Sequence, residues 1–345
     1  SLHLVPCGVF SKSVTNVIGN GVVVDPDVLI GEMQALEKAG IDISQSLMVS
    51  ERAHLIMPYH VMLDTLAENR RGKQAIGTTG KGIGPAYSDK TLRTGIRAAD
   101  ILDLENLKVR LESVLPYTNA ILEKIYGVEP VTTESILEKA ANWKNRLESF
   151  IKPVGRYVND VLDDGGTVVL EGAQGILLDL DHGTYPFVTS SSPTIGGAIT
   201  GLAIQPRHIT SVLGIFKAYN TRVGAGPFPT ELFDDVGESI RTVAREFGTT
   251  TGRARRIGWF DGVLARYSNR VNGYTSAVVT RLDVLDHIDS IKVCVGYKLG
   301  TDILDEPPGG VAALEKCSPI YETLEGWDIP TDGISELSNL PTNAR

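Results

Sequence analysis

Short β-branched runs that stop at a polar, glycine-bearing loop recur through the second half of this chain, and they constrain its fold more than any other feature. Thr167-Val168-Val169-Leu170 runs straight into Glu171-Gly172-Ala173-Gln174-Gly175. Ser211-Val212-Leu213-Gly214-Ile215-Phe216 ends in Lys217-Ala218-Tyr219, and Ala277-Val278-Val279-Thr280 leads into Arg281-Leu282-Asp283. Ile291-Lys292-Val293-Cys294-Val295 follows shortly after. Such strands, separated by helices and loops, predict an α/β protein with a mainly parallel central sheet and helices on both faces. Ligands in that architecture gather at the carboxyl ends of strands, so the three polar loops are expected to share one crevice.

The first half reads as helices between short strands. Asp25 is a good N-cap, Pro26 suits a first helical turn and Gly40 a C-terminal cap, with Leu29, Met33 and Leu36 at helical spacing between them. Leu47-Met48-Val49 predicts a strand, and Pro58 opens a helix expected to stop near Gly72. Ile76 to Pro85 is too rich in glycine for helix or strand. Leu104, Leu107, Leu111 and Val114 mark a helix that Pro116 ends or kinks. A polar helical pattern then continues to about Val161, with a break around Gly127 to Val131. Ser1-Leu2-His3-Leu4-Val5-Pro6 reads as a strand met partway, which implies that Ser1 is not the natural start. No repeat or linker divides the chain, so the expectation is a single domain over residues 1–345 with a helical insertion at about 101–162.

A net charge of −9 argues against nucleic acid or an anionic membrane as a partner, since both demand a broad basic surface. Cys7, Cys294 and Cys317 are odd in number and far apart, which suggests neither a disulfide framework nor a zinc site and points to the cytoplasm. No apolar run reaches membrane-spanning length.

Within that acidic chain, Gly248-Thr249-Thr250-Thr251-Gly252-Arg253-Ala254-Arg255-Arg256 concentrates hydroxyls and guanidinium groups. Arginine binds carboxylate or phosphate through two parallel hydrogen bonds, so the stretch is either an anion site or a solvated basic turn. The loop Gly77-Thr78-Thr79-Gly80-Lys81-Gly82 does not match the phosphate-binding G-x-x-x-x-G-K-[ST] pattern. It is either a surface turn or a nest of backbone N–H groups for an anion. Taken alone, Gln174 reads as a helix cap and Asp283 as a strand terminator. Asp181-His182 could be an acid–base pair, but Gly183-Thr184-Tyr185-Pro186 after it and the lack of a second histidine nearby favour a turn.

Gly82-Ile83-Gly84-Pro85-Ala86-Tyr87-Ser88-Asp89-Lys90-Thr91-Leu92-Arg93 closely resembles a signature of the adenylosuccinate synthetase family. The resemblance continues, in order, through Val17-Ile18-Gly19-Asn20-Gly21-Val22, Glu171 to Gly175, and Asp181 to Pro186. It then covers Val223-Gly224-Ala225-Gly226-Pro227-Phe228-Pro229-Thr230-Glu231-Leu232, the threonine–arginine stretch, and Pro319-Ile320-Tyr321-Glu322. It implies a P-loop-GTPase-like ligase fold with helical insertions. The implied activity is GTP-dependent ligation of IMP and L-aspartate through a 6-phosphoryl-IMP intermediate, the first committed step of AMP biosynthesis. The same resemblance implies that Thr79, Thr189, Gln174, Arg253 and Arg93 serve IMP, with Arg93 reaching the phosphate from the neighbouring subunit of a homodimer. Thr249, Thr250, Thr251, Gly252, Arg253 and Arg255 correspond to the aspartate loop, Arg255 also reaching the GTP side. Arg281, Leu282 and Asp283 match the guanine-reading triplet, with arginine where the family commonly has lysine.

The family's Asp-Glu-Gly-Lys-Gly-Lys loop, which carries the catalytic base and a Mg2+ ligand, has no counterpart in this sequence, nor do its histidine acid and its Gly-Pro-Asp-Arg segment. The expectation is therefore a ligase sequence short of both ends, with base, acid and Mg2+ ligands outside it and no turnover from this stretch alone. A purine-nucleotide-binding protein without catalysis on the same scaffold is the alternative. A nicotinamide-dependent enzyme is disfavoured, because no G-x-G-x-x-G joins a strand to a helix.

Overall fold

Asp25 accepts hydrogen bonds from the backbone N–H groups of Asp27 and Val28, and with Pro26 in the first turn this fixes where the first long helix begins. The computed structural model describes residues 2–72, 75–248, 252 and 254–345. They fall into two units, Ser1–Gln174 with Thr189–His208, and Gly175–Val188 with Ile209–Arg345.

The first unit runs β1 (Asn16–Ile18), β2 (Val23–Val24), α1 (Pro26–Lys38), β3 (Leu47–Ser50), β4 (His54–Leu55), α2 (Pro58–Arg71), α3 (Ile83–Leu92), α4 (Leu104–Ile121), α5 (Thr133–Leu147), β5 (Ile151–Lys152), α6 (Val154–Asp163) and α7 (Ile195–Leu202). β1, β3 and β5 form a parallel sheet and β2 pairs in parallel with β4. Leu29, Met33 and Leu36 of α1 are buried with Leu107 and Leu111 of α4 and Ile136, Ala140 and Trp143 of α5 in one core. The indole N–H of Trp143 donates to Asp27 at 2.6 Å, so a carboxylate in the first turn of α1 ties down α5.

Local pattern misleads at four places in this unit. Residues 2–6 form no strand: the N–H groups of His3, Leu4 and Val5 donate to the Glu32 carboxylate on α1 instead of to a ladder. Thr167–Leu170 is likewise no strand, and Val169 is 81% exposed, because its backbone has no ladder partner among the described residues. α4 passes through Pro116 without ending there. Pro116 lies on the exposed face, where the carbonyl it frees can be hydrated, while Leu111, Leu115 and Thr118 anchor the other face. The glycine-rich stretch also becomes helical earlier than its composition predicts. α3 starts at Ile83 and takes Pro85 into its first turn, where proline is tolerated.

The second unit runs β6 (Leu213–Lys217), β7 (Tyr219–Arg222), α8 (Asp235–Ala244), β8 (Arg256–Asp261), α9 (Gly262–Asn272), β9 (Ser276–Thr280), β10 (Ser290–Leu299), β11 (Asp302–Leu304), α10 (Val311–Leu314) and β12 (Ser318–Glu325). β6 and β9 pair in parallel, with Lys217 opposite Thr280. β8 and β10 are also parallel, and β7, β11 and β12 extend that sheet in antiparallel fashion. Tyr219, Ile240, Ile257, Trp259, Val284 and Leu285 are buried in one core, and Val263, Leu264, Cys294 and Tyr297 in another.

Candidate functional site

In the first unit, the start of α3 brings two of the sequence blocks, 17–22 and 82–93, against residues 190–201. Gly21 donates its N–H to the Gly201 carbonyl at 2.9 Å and accepts the Tyr87 hydroxyl at 2.7 Å. Asn20 Nδ2 donates to the Thr200 carbonyl at 3.0 Å. The approach needs glycine: a Cβ on Gly21 would meet Gly201 Cα at 2.6 Å. A Cβ on Gly84 would lie 3.4 Å from Ser190 Oγ, so the residue after Thr189 faces the first turn of α3. A helix start with orphan N–H groups attracts phosphate, and Thr189 and Thr79 are placed on the two segments that flank this one.

The Gly77–Gly82 loop does form a nest, and the nest holds a carboxylate of the chain itself. Glu68 accepts from the N–H groups of Ile76, Gly77 and Thr78, and Asp64 accepts from Gly82 at 2.9 Å. Burial raises the Glu68 pKa, but these hydrogen bonds and the Arg71 guanidinium outweigh it and hold the carboxyl below its ordinary range. Thr79 is exposed at the tip of the loop.

Arg93 sits at the other end of α3, as its C-cap in the left-handed region with φ 68°. It lines a cavity of about 420 Å³ together with Arg52, His54, Lys90, Arg97 and Arg110, against only two carboxylates, Glu51 and Asp100. Burial, then Lys90 and Arg97, push the His54 imidazole down to about 4, so it is neutral inside this cationic pocket. Burial and Arg97 also lower the Lys90 pKa. α3 is fixed from beneath by His60, which is 1% exposed. Its Nδ1 accepts the Met57 N–H at 2.9 Å, so Nε2–H donates to Asp89 at 3.0 Å. Gln174 is exposed with φ 61°, in a bend at which no helix ends.

In the second unit the centre is Glu246, 4% exposed. Its carboxylate accepts from Lys217 Nζ, the Tyr219 hydroxyl and Arg255 Nη1, each at 2.6 Å. Burial raises its pKa, and these three donors overcome that and lower it. Burial depresses the Lys217 pKa, with Arg255 and Arg281 adding to the effect against Glu246. Two cations pair with this carboxylate and Arg281 lies close enough to Lys217 to depress its pKa, which leaves a local positive excess for an anionic ligand. Lys217 ends β6 and Arg281 follows its parallel partner β9, so two of the polar loops expected to share a crevice do lie side by side. The third, after Leu170, follows no strand.

Thr249, Thr250, Thr251 and Arg253 lie outside the described residues. The ends of their loop are closed by a bridge between Phe247 and Ala254, by the Arg255 N–H on the Glu246 carbonyl at 2.9 Å, and by the Gly252 N–H on Gly248 at 2.7 Å. Arg281, with φ 62°, donates to the Ala244 carbonyl at 3.3 Å, Leu282 is half-buried, and Asp283 is exposed at the end of β9. Arg222 and Arg256 brace the neighbouring blocks. Arg222 binds the Thr184 hydroxyl and the Phe187 and Ala225 carbonyls, and burial beside Arg256 lowers its pKa to about 10. Arg256 pairs with Glu231 and reaches the Gly226 carbonyl at 2.8 Å.

The Asp181–His182 pair reads as a turn: Asp179 accepts from both N–H groups, and His182 is exposed beside the Tyr267 hydroxyl. Among the described residues, no group of three or more histidine, cysteine, aspartate or glutamate side chains could hold a metal ion. Lys217, Glu246 and Glu68 were not singled out by sequence. Lys217 alone carried a signal, as a lysine ending a predicted strand.

The family model of adenylosuccinate synthetase matches residues 1–345. The chain belongs to the adenylosuccinate synthetase family. The adenylosuccinate synthetase of Listeria monocytogenes serotype 4a is 49% identical over 344 residues, all of this chain and 80% of the relative. That of Heliobacterium modesticaldum is 50% identical over the same span and coverage. Among solved structures, the fully ligated adenylosuccinate synthetase from Plasmodium falciparum superposes with a TM-score of 0.92 at 36% identity, covering 99% of this chain and 81% of that one. Family membership makes the chain part of a carbon–nitrogen ligase of purine synthesis, and the P-loop-like ligase fold agrees with the mixed α/β architecture seen here.

Proposed function

We propose that this chain binds IMP, L-aspartate and GTP for the synthesis of adenylosuccinate, GDP and phosphate. The observation that carries the reading is the pairing of Lys217 and Arg255 on Glu246, with Arg281 beside Lys217 and Asp283 on the same loop as Arg281. Guanidinium groups suit a dicarboxylate and phosphates, and an exposed carboxylate suits the ring N–H and amine of guanine. Transfer of the γ-phosphoryl group to the 6-oxygen of IMP turns a poor leaving group into phosphate, which the aspartate amine then displaces. That chemistry relies on positioning and charge stabilisation, the roles available to these side chains. Mg2+ would stabilise phosphoryl charge when bound.

Thr79, Thr189 and Gln174 form the IMP side of the proposal, with Arg253 and the threonines 249–251 assigned to aspartate by resemblance. Arg93 is assigned to the neighbouring subunit's IMP phosphate in a homodimer. Thr79 precedes α3 and Arg93 ends it, so the helix axis separates them by roughly 15 Å. We place the enzyme in the cytoplasm, in line with its three free cysteines; among the described residues no helix is long and apolar enough to cross a membrane. The test is GDP release by the full-length protein, measured with each substrate omitted in turn. Release that needs all three, together with adenylosuccinate formation, supports the reading; nucleotide binding without product would overturn it.

A further inference from the structure

Asp64 and Glu68 are one turn apart on the same face of α2, and both carboxylates accept hydrogen bonds from the backbone of one loop, Glu68 also from Arg71. Glu68 takes the N–H groups of Ile76 and Thr78 at 3.3 and 3.1 Å and that of Gly77 between them. Asp64, 6% exposed, takes Gly82. At Gly82 the loop lies directly on α2, where a Cβ would meet the Val61 nitrogen at 2.8 Å. Residues 76–78 and 82 are thus tied down, and 79–81 form the tip between the ties.

A carboxylate beside a phosphate-binding loop opposes the ligand unless it organises the loop. The nest formed by residues 76–78 is occupied by Glu68, so a phosphate must use the tip and the start of α3 instead. We infer that Glu68, assisted by Asp64, is a positioning residue that presents Thr79 to the IMP phosphate. This rests on Thr79 being a phosphate ligand. The lowered pKa of Glu68 keeps it ionised, and so able to accept all three N–H groups, throughout the neutral range. Glutamine replaces it only in part: its amide oxygen can still accept from Gly77 and Thr78, but its NH2 would face the Ile76 N–H and the Arg71 guanidinium. Thr78 Oγ1, buried without a partner among the described residues, marks the same loop as shaped for more than its own contacts.

The test compares Glu68→Gln, Glu68→Asp and Thr79→Val in the full-length protein by steady-state kinetics and by amide hydrogen exchange without ligand. Glu68→Gln should speed exchange most at Ile76, less at Gly77 and Thr78, and raise KM for IMP about tenfold, with kcat and KM for GTP changed less than about twofold. Glu68→Asp, which keeps the charge, should recover part of both effects. Unchanged exchange in Glu68→Gln would overturn the clamp. Faster exchange with unchanged KM for IMP, while Thr79→Val raises it, would overturn the positioning role and leave the phosphate site standing. If neither variant raises KM for IMP, the assignment of Thr79 fails and the positioning role fails with it.

Discussion

Arg255 is bound to Glu246 twice: its guanidinium donates to the Glu246 carboxylate at 2.6 Å and its backbone N–H to the Glu246 carbonyl at 2.9 Å. Arg255 is thereby held in place before any ligand arrives, by a carboxylate shared with Lys217 and Tyr219. Glu246→Gln should free both cations and raise KM for aspartate by about 10- to 100-fold, as expected for a hydrogen bond to a charged group. An unchanged KM for aspartate would remove Arg255 from that site. Because the folded pKa of Glu246 lies below the ordinary 4.5, the folded chain resists its protonation. Its contribution to stability is present above the unfolded value and is lost as pH falls through the folded one. Glu246→Gln should therefore flatten the decline of the urea midpoint below about pH 4.5.

Asp283→Asn tests the guanine reading. The exposed carboxylate at the end of β9 would accept two hydrogen bonds from guanine, and the amide can accept at one end only. KM for GTP should rise by about 10- to 100-fold, while those for IMP and aspartate move little. Parallel rises for all three substrates would mean that Asp283 holds the fold instead.

Much of the first unit was legible because its signals are local. The Asp25 cap, Pro26, Pro58 and the Leu29–Met33–Leu36 stripe each act within one or two turns, and α1 and α2 lie where they predict. Strand recognition failed where pairing decides the outcome. Thr167–Leu170 and Leu213–Lys217 look alike in sequence, but only the second lies beside a partner such as β9. The site was legible as motifs, and its supports were not. Glu68, Glu32 and Glu246 look like any surface glutamate until the fold brings backbone N–H groups or cations to them from elsewhere in the chain.

Glu32 offers a contrast with Glu68. It uses the same device, three successive N–H groups on one helix-borne carboxylate, but on residues 3–5, which belong to no block assigned to a ligand. Glu32→Ala leaves these donors unpartnered and should lower stability by about 1–3 kcal/mol, read from the urea midpoint. All three KM values should stay within about twofold of the parent. A rise in KM for IMP alone would tie residues 3–5 to the site.

His54 makes stability depend on pH. Its folded pKa of about 4 is below the ordinary 6.5, so between these values the unfolded chain takes up a proton that the folded chain refuses. Stability from this group is complete above about pH 6.5 and is lost progressively as pH falls towards 4. His54→Gln cannot titrate and should flatten the rise of the urea midpoint between those two values. An unaltered profile would place the imidazole outside the cationic cavity's influence.

The position of Arg93 at the far end of α3 from Thr79 leads to a subunit-mixing experiment. In the full-length enzyme, Arg93→Ala and Arg255→Ala should each remove most activity. If Arg93 completes the neighbour's site, a dimer made from one copy of each mutant has unequal sites. One site combines intact Arg255 from the first chain with intact Arg93 from the second, and the other lacks both. Random exchange makes about half of the dimers mixed, so about a quarter of all sites should recover under two-fold symmetry. If Arg93 instead serves its own subunit, every site keeps one lesion and mixing restores nothing. Activity that stays at the single-mutant level, with exchange verified by native mass spectrometry, would confine Arg93 to its own chain and require α3 to be spanned within one subunit.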